Sequence, residues 1–191
     1  MRLIFATHND HKVHEIQEAL GGLCEVVSAT AAGFPEELPE DRGTLLGNSM
    51  QKAMAIFERT GSDCFADDTG LEVEALKGAP GAFSARYAGP QCSPQDNVRK
   101  LLEELAGKEN RRARFRTIIT LIYKGQPKAF EGIVEGEILT EEWGLGGFGY
   151  DPIFRPTGYE MSFAQMPLEE KNRISHRGRA IAAMADFLRA Q

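Results

Sequence analysis

The chain has 191 residues, a hydrophobic fraction of 42% and a formal net charge of −6. That length and composition fit one globular domain, residues 1–191, with a sizeable core, and no apolar run approaches the roughly 18 residues a membrane helix needs. The acidic balance argues against a broad nucleic-acid surface, so a phosphate-bearing ligand must be met by locally gathered cations or by a metal ion.

In chain order, "RLIFA" (2–6) reads as a short buried strand, followed past "THND" by an amphipathic helix with Val13, Ile16 and Leu20 on one face and Gly21-Gly22 as its stop. "LCEVVSA" reads as a second strand. A polar, Pro-containing loop leads to a helix from about Thr44 to Thr60, whose expected core stripe is Leu46, Met50, Ala53 and Phe57. "DCFADD" and "GLEVEAL" are strand-like, with a possible turn at Thr69-Gly70, and "KGAPGAFSARYAGPQ" is a Gly/Pro loop. Ser93 as N-cap and Pro94 at the first helical position open a helix expected to stop at Gly107. "RFRTIITLIY" and "AFEGIVEGEIL" flank "KGQPK" as an antiparallel hairpin. "GLGGFGYDPIF" is an aromatic-containing glycine loop, and a helix from about Ser175 to Arg189 closes the chain by burying Ile181, Met184 and Leu188. Helices and strands alternate and a hairpin intervenes, which predicts an α/β layered protein with a mixed sheet and two lobes.

Cys24, Cys64 and Cys92 match neither a disulfide framework nor a zinc-ligand spacing. The N-terminus turns polar too soon for a secretory signal, so the expected location is the reducing cytoplasm.

Two helix starts break a local rule. Lys12 lies in the first turn of its helix, where a cation opposes the helix dipole at a cost of about 0.3–1 kcal/mol. His176, Arg177 and Arg179 do the same after Ser175, with Lys171 and Arg173 just upstream. Both starts suit a ligand carrying several phosphates. The spacing of His8, His11 and His14 hints at a metal, although a polar loop and a solvated helix face account for it better. A polyphosphate commonly brings Mg²⁺, which takes one or two carboxylates and fills the rest with water. Asp67 and Asp68 stand side by side at the end of an apolar segment. In an extended chain, neighbouring side chains point to opposite faces, so one aspartate would hold the metal while the other orients a water or anchors the loop. Glu36, Glu37, Glu40 and Asp41 precede the helix that presents Asn48 and Lys52 on one face. Phe148 and Tyr150 among glycines suit a cradle for a flat base. Neither a Walker A sequence nor G-x-S-x-G occurs.

"T-x-N-x-x-K" from Thr7 to Lys12, "ADDTGLEV" from Ala66, "GAPGAFSARYAG" from Gly78, "GFGYDPIF" from Gly147 and "SHRGRA" from Ser175 stand in an order that closely resembles the inosine/xanthosine triphosphate pyrophosphatase family. The resemblance spans Leu3 to about Leu188. It implies an elongated mixed sheet flanked by helices, two lobes with a central active-site cleft, and a homodimer; the expectation of neither a nucleic-acid nor a membrane partner comes from the charge and composition instead. It also implies Mg²⁺-dependent hydrolysis of ITP, dITP and XTP to the monophosphate and pyrophosphate. By motif position, Thr7, His8, Asn9, Asp10, His11 and Lys12 would bind the triphosphate, and Glu40 and Asp68 would hold Mg²⁺. Asp68 is also the candidate proton acceptor, with Asp67 the alternative. Lys52 would add positive charge, Thr69 would contact substrate, and Phe148, Gly149, Tyr150, Asp151, Lys171, His176 and Arg177 would contact the nucleotide and its base. A donor aimed at a 6-oxo group, from His176 or Arg177, would select such purines, because a 6-amino group leaves buried donors unpaired. Glu40 is placed by counting back from Asn48, and Glu36, Glu37 and Asp41 compete with it. A related pyrophosphatase acting on pyrimidine triphosphates, or a nucleotide sensor without turnover, are the competing readings.

Overall fold

A computed structural model describes residues 1–191, apart from the side chains of Asp10, His11 and Glu15. Seven strands form one mixed sheet: β1 (Arg2–Phe5), β2 (Glu25–Ser28), β3 (Cys64–Val73), β4 (Pro80–Gly81), β5 (Arg112–Tyr123), β6 (Gln126–Ile138) and β7 (Phe154–Pro156). The strand order is β2-β1-β3-β5-β6-β7, with β4 pairing β3 outside that path. β1 runs parallel to β2 and β3, whereas β4 on β3 and β7 on β6 are antiparallel. The helices are α1 (Asp10–Leu20), α2 (Leu45–Thr60), α3 (Pro94–Glu104), α4 (Leu168–Ile174) and α5 (His176–Arg189). Among the described residues no helix is long and apolar enough to cross a membrane.

The chain divides into two compact units, the first made of Met1–Asp68, Thr117–Gly132 and Arg177–Gln191, and the second of Thr69–Arg116 and Ile133–His176. In the first unit β1, the start of β3 and the later part of β5 are buried on both faces, which is why they read as near-continuous apolar runs. Their period-2 alternation splits the core in two. Leu3, Phe5, Phe65, Ile119 and Leu121 pack with Ile16 and Leu20 of α1 and with Ile181, Met184 and Leu188 of α5. Ile4, Ala6, Cys64, Ala66 and Ile122 pack with Ala53 and Ile56 of α2. The two helix sets therefore cover opposite sides of the strands. In the second unit, Leu71, Val73, Phe115, Val134, Ile138, Tyr150, Ile153, Phe154 and Phe163 gather with Val98 and Leu101 of α3.

Helix ends follow the sequence signals closely. Asn9 caps α1 and Gly21 ends it in the left-handed region at φ 45°. Thr44 caps α2, and Ser93 with Asp96 forms a capping box on α3. Four expectations are corrected. The buried positions of α2 are Leu45, Asn48, Ser49, Ala53 and Ile56, while Leu46 is exposed and Met50 and Phe57 are only half-buried. The helix is thus phased about one position from the expected stripe. Ser49 enters the core because its hydroxyl meets Thr120 Oγ1 at 2.8 Å. Next, Thr69-Gly70 makes no turn, since β3 runs unbroken from Cys64 to Val73. α3 ends at Glu104 rather than at Gly107. Finally, the hairpin turn is only Lys124-Gly125, both at positive φ as a type I′ turn requires, and Gln126, Pro127 and Lys128 belong to β6. The short charged helix α4 has no counterpart in the expected elements.

Candidate active site

Continuing the alternation of β3 by two residues explains the paired aspartates. Phe65 belongs to the face covered by α1 and α5, and Ala66 to the face covered by α2. Asp67 accordingly emerges toward α1 and α5, and Asp68 toward α2.

Asp67 is 3% exposed, and both of its carboxylate oxygens accept from Lys12 Nζ at 3.1 Å. Arg177 Nε lies 3.6 Å from its Oδ2. Burial pushes this carboxyl up, but the charges of Lys12, Arg177 and Lys52 outweigh it and hold Asp67 well below the usual carboxylate range. The cation that opposes the dipole of α1 therefore has a partner within the protein, and Asp67 gathers two cationic side chains around one position of β3.

Asp68 has the opposite surroundings. Its Oδ2 accepts from Asn48 Nδ2 at 2.9 Å, and its Oδ1 lies 3.9 Å from Lys52 Nζ. Burial raises its carboxyl to about 6, reinforced by Glu40 and Asp67 and opposed by Lys52 and the Asn48 bond. Lys52 also donates to Glu40 Oε2 at 3.1 Å. Burial lowers the Lys52 ammonium, but Asp67, Asp68 and Glu40 override it and the net direction is up. Of the competing acids, Glu36 is engaged by Arg59, and Asp41 accepts from Gln51 Nε2 at 2.9 Å. Glu40 is the one that shares Lys52 with Asp68.

The remaining residues around "THNDHK" are arranged mostly by local bonds. Thr7 Oγ1 accepts from Asn9 N at 3.2 Å, and Asn9 Oδ1 accepts from Lys12 N at 3.2 Å. His8 Nε2 bonds Phe34 O at 2.8 Å, while His14 pairs with Glu18 in solvent, so these two do not share a metal. The roles expected of Asp10 and His11 lie outside the described residues.

The second unit holds its own cluster. Asp151, 4% exposed, accepts on Oδ2 from Lys171 Nζ at 2.6 Å and from Phe148 N at 2.8 Å. Lys171 Nζ stands 5.3 Å from the ring centre of Phe148, which is 65% exposed. An accessible aromatic face thus lies beside a fixed ammonium. Tyr150 plays a different part: it is buried, and its hydroxyl donates to Ser84 O at 2.8 Å, so its ring supports the loop from below. Ser84 in turn accepts from Leu71 N at 2.9 Å and donates to Gly81 O at 2.6 Å. Gly149 takes φ +61° and Thr69 is half-buried. His176 is buried, with its ring stacked on Phe115 at 4.7 Å. Gln51, Ser84 and the supporting role of Tyr150 went unrecognised in the sequence, and Asn48 was placed beside Lys52 on one helix face without a role of its own. The only signal was the four-residue spacing of Asn48 and Lys52.

A mixed α/β protein that collects Lys12 and Arg177 around one buried aspartate of β3, and sets Asn48 and Lys52 against the next, has the groups of a phosphate-handling enzyme. The chain belongs to the Ham1 family, whose model matches residues 3–187. It is 49% identical over 189 residues to a dITP/XTP pyrophosphatase of Flavobacterium psychrophilum, covering 99% of this chain and 100% of that one. It is 52% identical to the dITP/XTP pyrophosphatase of Porphyromonas gingivalis, covering 98% of this chain and 97% of the relative. Among solved structures, the Ham1 protein of Staphylococcus aureus superposes with a TM-score of 0.94 at 34% identity, covering 100% of this chain and 99% of that one. A HAM1 protein from Coxiella burnetii gives 0.95 at 36% identity, covering 100% of both.

Proposed function

We propose that the protein is a single-domain enzyme that hydrolyses deaminated purine nucleoside triphosphates (ITP, dITP and XTP) to the monophosphate and pyrophosphate, clearing them from the nucleotide pool. The names of the relatives support the substrate class. The observation that carries the chemistry is the contrast between Asp67 and Asp68. Asp67, kept ionised by Lys12 and Arg177, is a poor proton acceptor and a good organiser of phosphate-binding cations. In the metal-free protein Asp68, with its pKa raised to about 6, is the more basic of the two carboxylates.

The donor set around Lys52 fits Mg²⁺. Glu40 and Asp68 offer oxygen ligands only, and both lie within reach of Lys52. One or two carboxylates with water completing the shell is the Mg²⁺ pattern. Bound there, the ion would draw off charge that develops on the phosphate oxygens. In the chain's own share of the chemistry, Lys12, Lys52 and Arg177 supply fixed positive charge to the triphosphate. Thr7, His8 and Asn9 form the loop against which the triphosphate lies. Asp68 takes a proton from water as its oxygen attacks the α-phosphorus, and the bond from that phosphorus to the bridging oxygen breaks to release pyrophosphate.

In the second unit, Phe148 offers a stacking face for the base, with Gly149 and Thr69 at the substrate. Lys171, fixed by Asp151, is the donor for a 6-oxo group. Its position beside the exposed ring favours it over His176, which is stacked in the core, and over Arg177, which is held by Asp67. The family resemblance supports a homodimer, and three free cysteines suit the reducing cytoplasm.

The test is pyrophosphate release from ITP, dITP, XTP, ATP, GTP and dTTP, with and without Mg²⁺. Fast release from the first three, only with Mg²⁺, is expected. Binding without release would make the chain a sensor, and preference for dTTP would make it a pyrimidine enzyme. Light scattering should give twice the 21.1 kDa chain mass; a monomer mass would remove the dimer.

A further inference from the structure

Asn48 has no place in the reaction just described, yet it is 1% exposed, among the buried positions of α2. Its amide orientation is fixed by its neighbours. Arg42 N is a donor only, so the atom that meets it at 2.9 Å is Oδ1. That leaves Nδ2 to donate to Asp68 Oδ2 at 2.9 Å. One buried amide therefore ties Asp68 in the middle of β3 to the loop before α2, and Glu40 stands two residues from the anchored Arg42. Gln51 and Lys52 continue the attachment one turn along the helix: Gln51 Oε1 accepts from Asp41 N at 3.1 Å, and Lys52 reaches Glu40 at 3.1 Å.

We propose that Asn48 is the positioning residue of the cation site, setting both the rotation of the Asp68 carboxylate and the distance of Glu40 from it. The inference rests on the reading of Glu40 and Asp68 as the metal ligands. With Oδ2 engaged by the amide, Asp68 turns Oδ1 toward Lys52, whose ammonium also reaches Glu40. Without the amide, the carboxylate rotates about its last bond and the Arg42 backbone loses its buried acceptor. Mg²⁺ demands near-ideal octahedral geometry and tolerates such looseness poorly. Residues that orient ligands without touching the metal commonly change metal affinity by about 10–100-fold when removed.

The test is direct binding of Mn²⁺, used as a spectroscopic substitute for Mg²⁺, followed by electron paramagnetic resonance on the nucleotide-free protein. Asn48→Ala should weaken Mn²⁺ by about 10–100-fold. The Mg²⁺ concentration for half-maximal pyrophosphate release should rise by a similar factor, and much of kcat should return at saturating Mg²⁺. Gln51→Ala, which loosens the same loop but leaves Asp68 untouched, should weaken Mn²⁺ clearly less than Asn48→Ala, and an equal loss overturns the role given to the Asp68 contact. Asn48→Ser, which keeps a hydroxyl in the buried space, stands in if the alanine variant fails to fold. A folded Asn48 variant with wild-type Mn²⁺ affinity overturns the positioning role. If the wild-type protein itself binds no Mn²⁺, or if Glu40→Gln and Asp68→Asn leave its binding unchanged, then the metal reading fails first and the positioning role falls with it.

Discussion

Adjacent carboxylates with opposed titrations make separable predictions. A carboxyl raised in the folded state stabilises the fold only while it is protonated. For Asp68 that contribution is whole below its ordinary 3.8 and is lost as pH rises through about 6. Asp68→Asn should therefore lower kcat for ITP by at least ~10²-fold, the scale of losing a positioned base, without loss of stability. In metal-free buffer at pH 8 it should match or exceed wild type, by up to about 3 kcal/mol for a shift of about two pH units. At pH 4 the two proteins should converge. Thermal denaturation at both pH values checks this, and a variant that melts well below wild type at pH 8 contradicts it. Asp67 behaves conversely: its depressed carboxyl stabilises the fold above 3.8, and that stability fades as pH falls toward its folded value. Asp67→Asn leaves Lys12 and Arg177 facing a buried neutral group. It should cost about 3 kcal/mol at pH 7, the lower end for breaking a buried pair. An unchanged denaturant midpoint would show that the two cations relax into solvent.

The elements explain why some of this was legible in the sequence and some was not. The caps at Asn9, Thr44 and Ser93, the left-handed stop at Gly21, and the α5 stripe of Ile181, Met184 and Leu188 are local features with local causes, and the sequence displays them. Leu45 and Leu46 are adjacent, so apolar spacing alone does not phase α2. The tie-break comes from Ser49 and Asn48, polar residues buried because distant partners satisfy them. Thr69-Gly70 suits a turn by composition but is held straight as part of β3, and that pairing is non-local. α4, "LEEKNRI", has no apolar period to find. In the candidate site, the residue types were legible while the division of labour between Asp67 and Asp68 was not. It depends on which helix covers which face of β3. Gly147 shows the same limit at loop scale. It takes φ +72°, and a Cβ there would fall on the Asp151 carboxylate that fixes Lys171 and Phe148 N. Gly147→Ala should thus displace the ammonium from the Phe148 ring, raising KM for ITP and shrinking the preference for ITP over ATP. Mn²⁺ affinity, set in the other unit, should not move. A variant with unchanged KM would show that the loop absorbs the strain, which ordinarily costs about 1–3 kcal/mol.

At the scale of the whole molecule, the three free thiols report on the two units separately. Cys24 and Cys64 belong to the first unit and Cys92 to the second. Cys64 is fully buried and burial pushes its thiol to about 12; Cys24 is 5% exposed and is also raised by burial. Cys92 is only half-buried. A disulfide reagent needs both access and thiolate, so the native protein should expose Cys92 alone to rapid labelling. The other two thiols should react only as the first unit opens. The proposed cation site lies in that unit, on β3 and α2, with Cys64 at the start of the same strand. A ligand that binds only the closed form lowers the open population by the factor 1 + [L]/Kd, which is about 100-fold when the ligand stands at roughly 100 times its Kd. Where reclosing outpaces the reagent, labelling of Cys64 should slow by that same factor on adding Mg²⁺. Cys92 labelling should be indifferent to Mg²⁺, and in Asp68→Asn the Mg²⁺ effect on Cys64 should vanish. Mass spectrometry of the labelled peptides reads all three thiols in one experiment. Equal Cys64 rates with and without Mg²⁺ in the wild-type protein would mean that the ion is not held by the first unit, and that the carboxylates around Lys52 serve the fold alone.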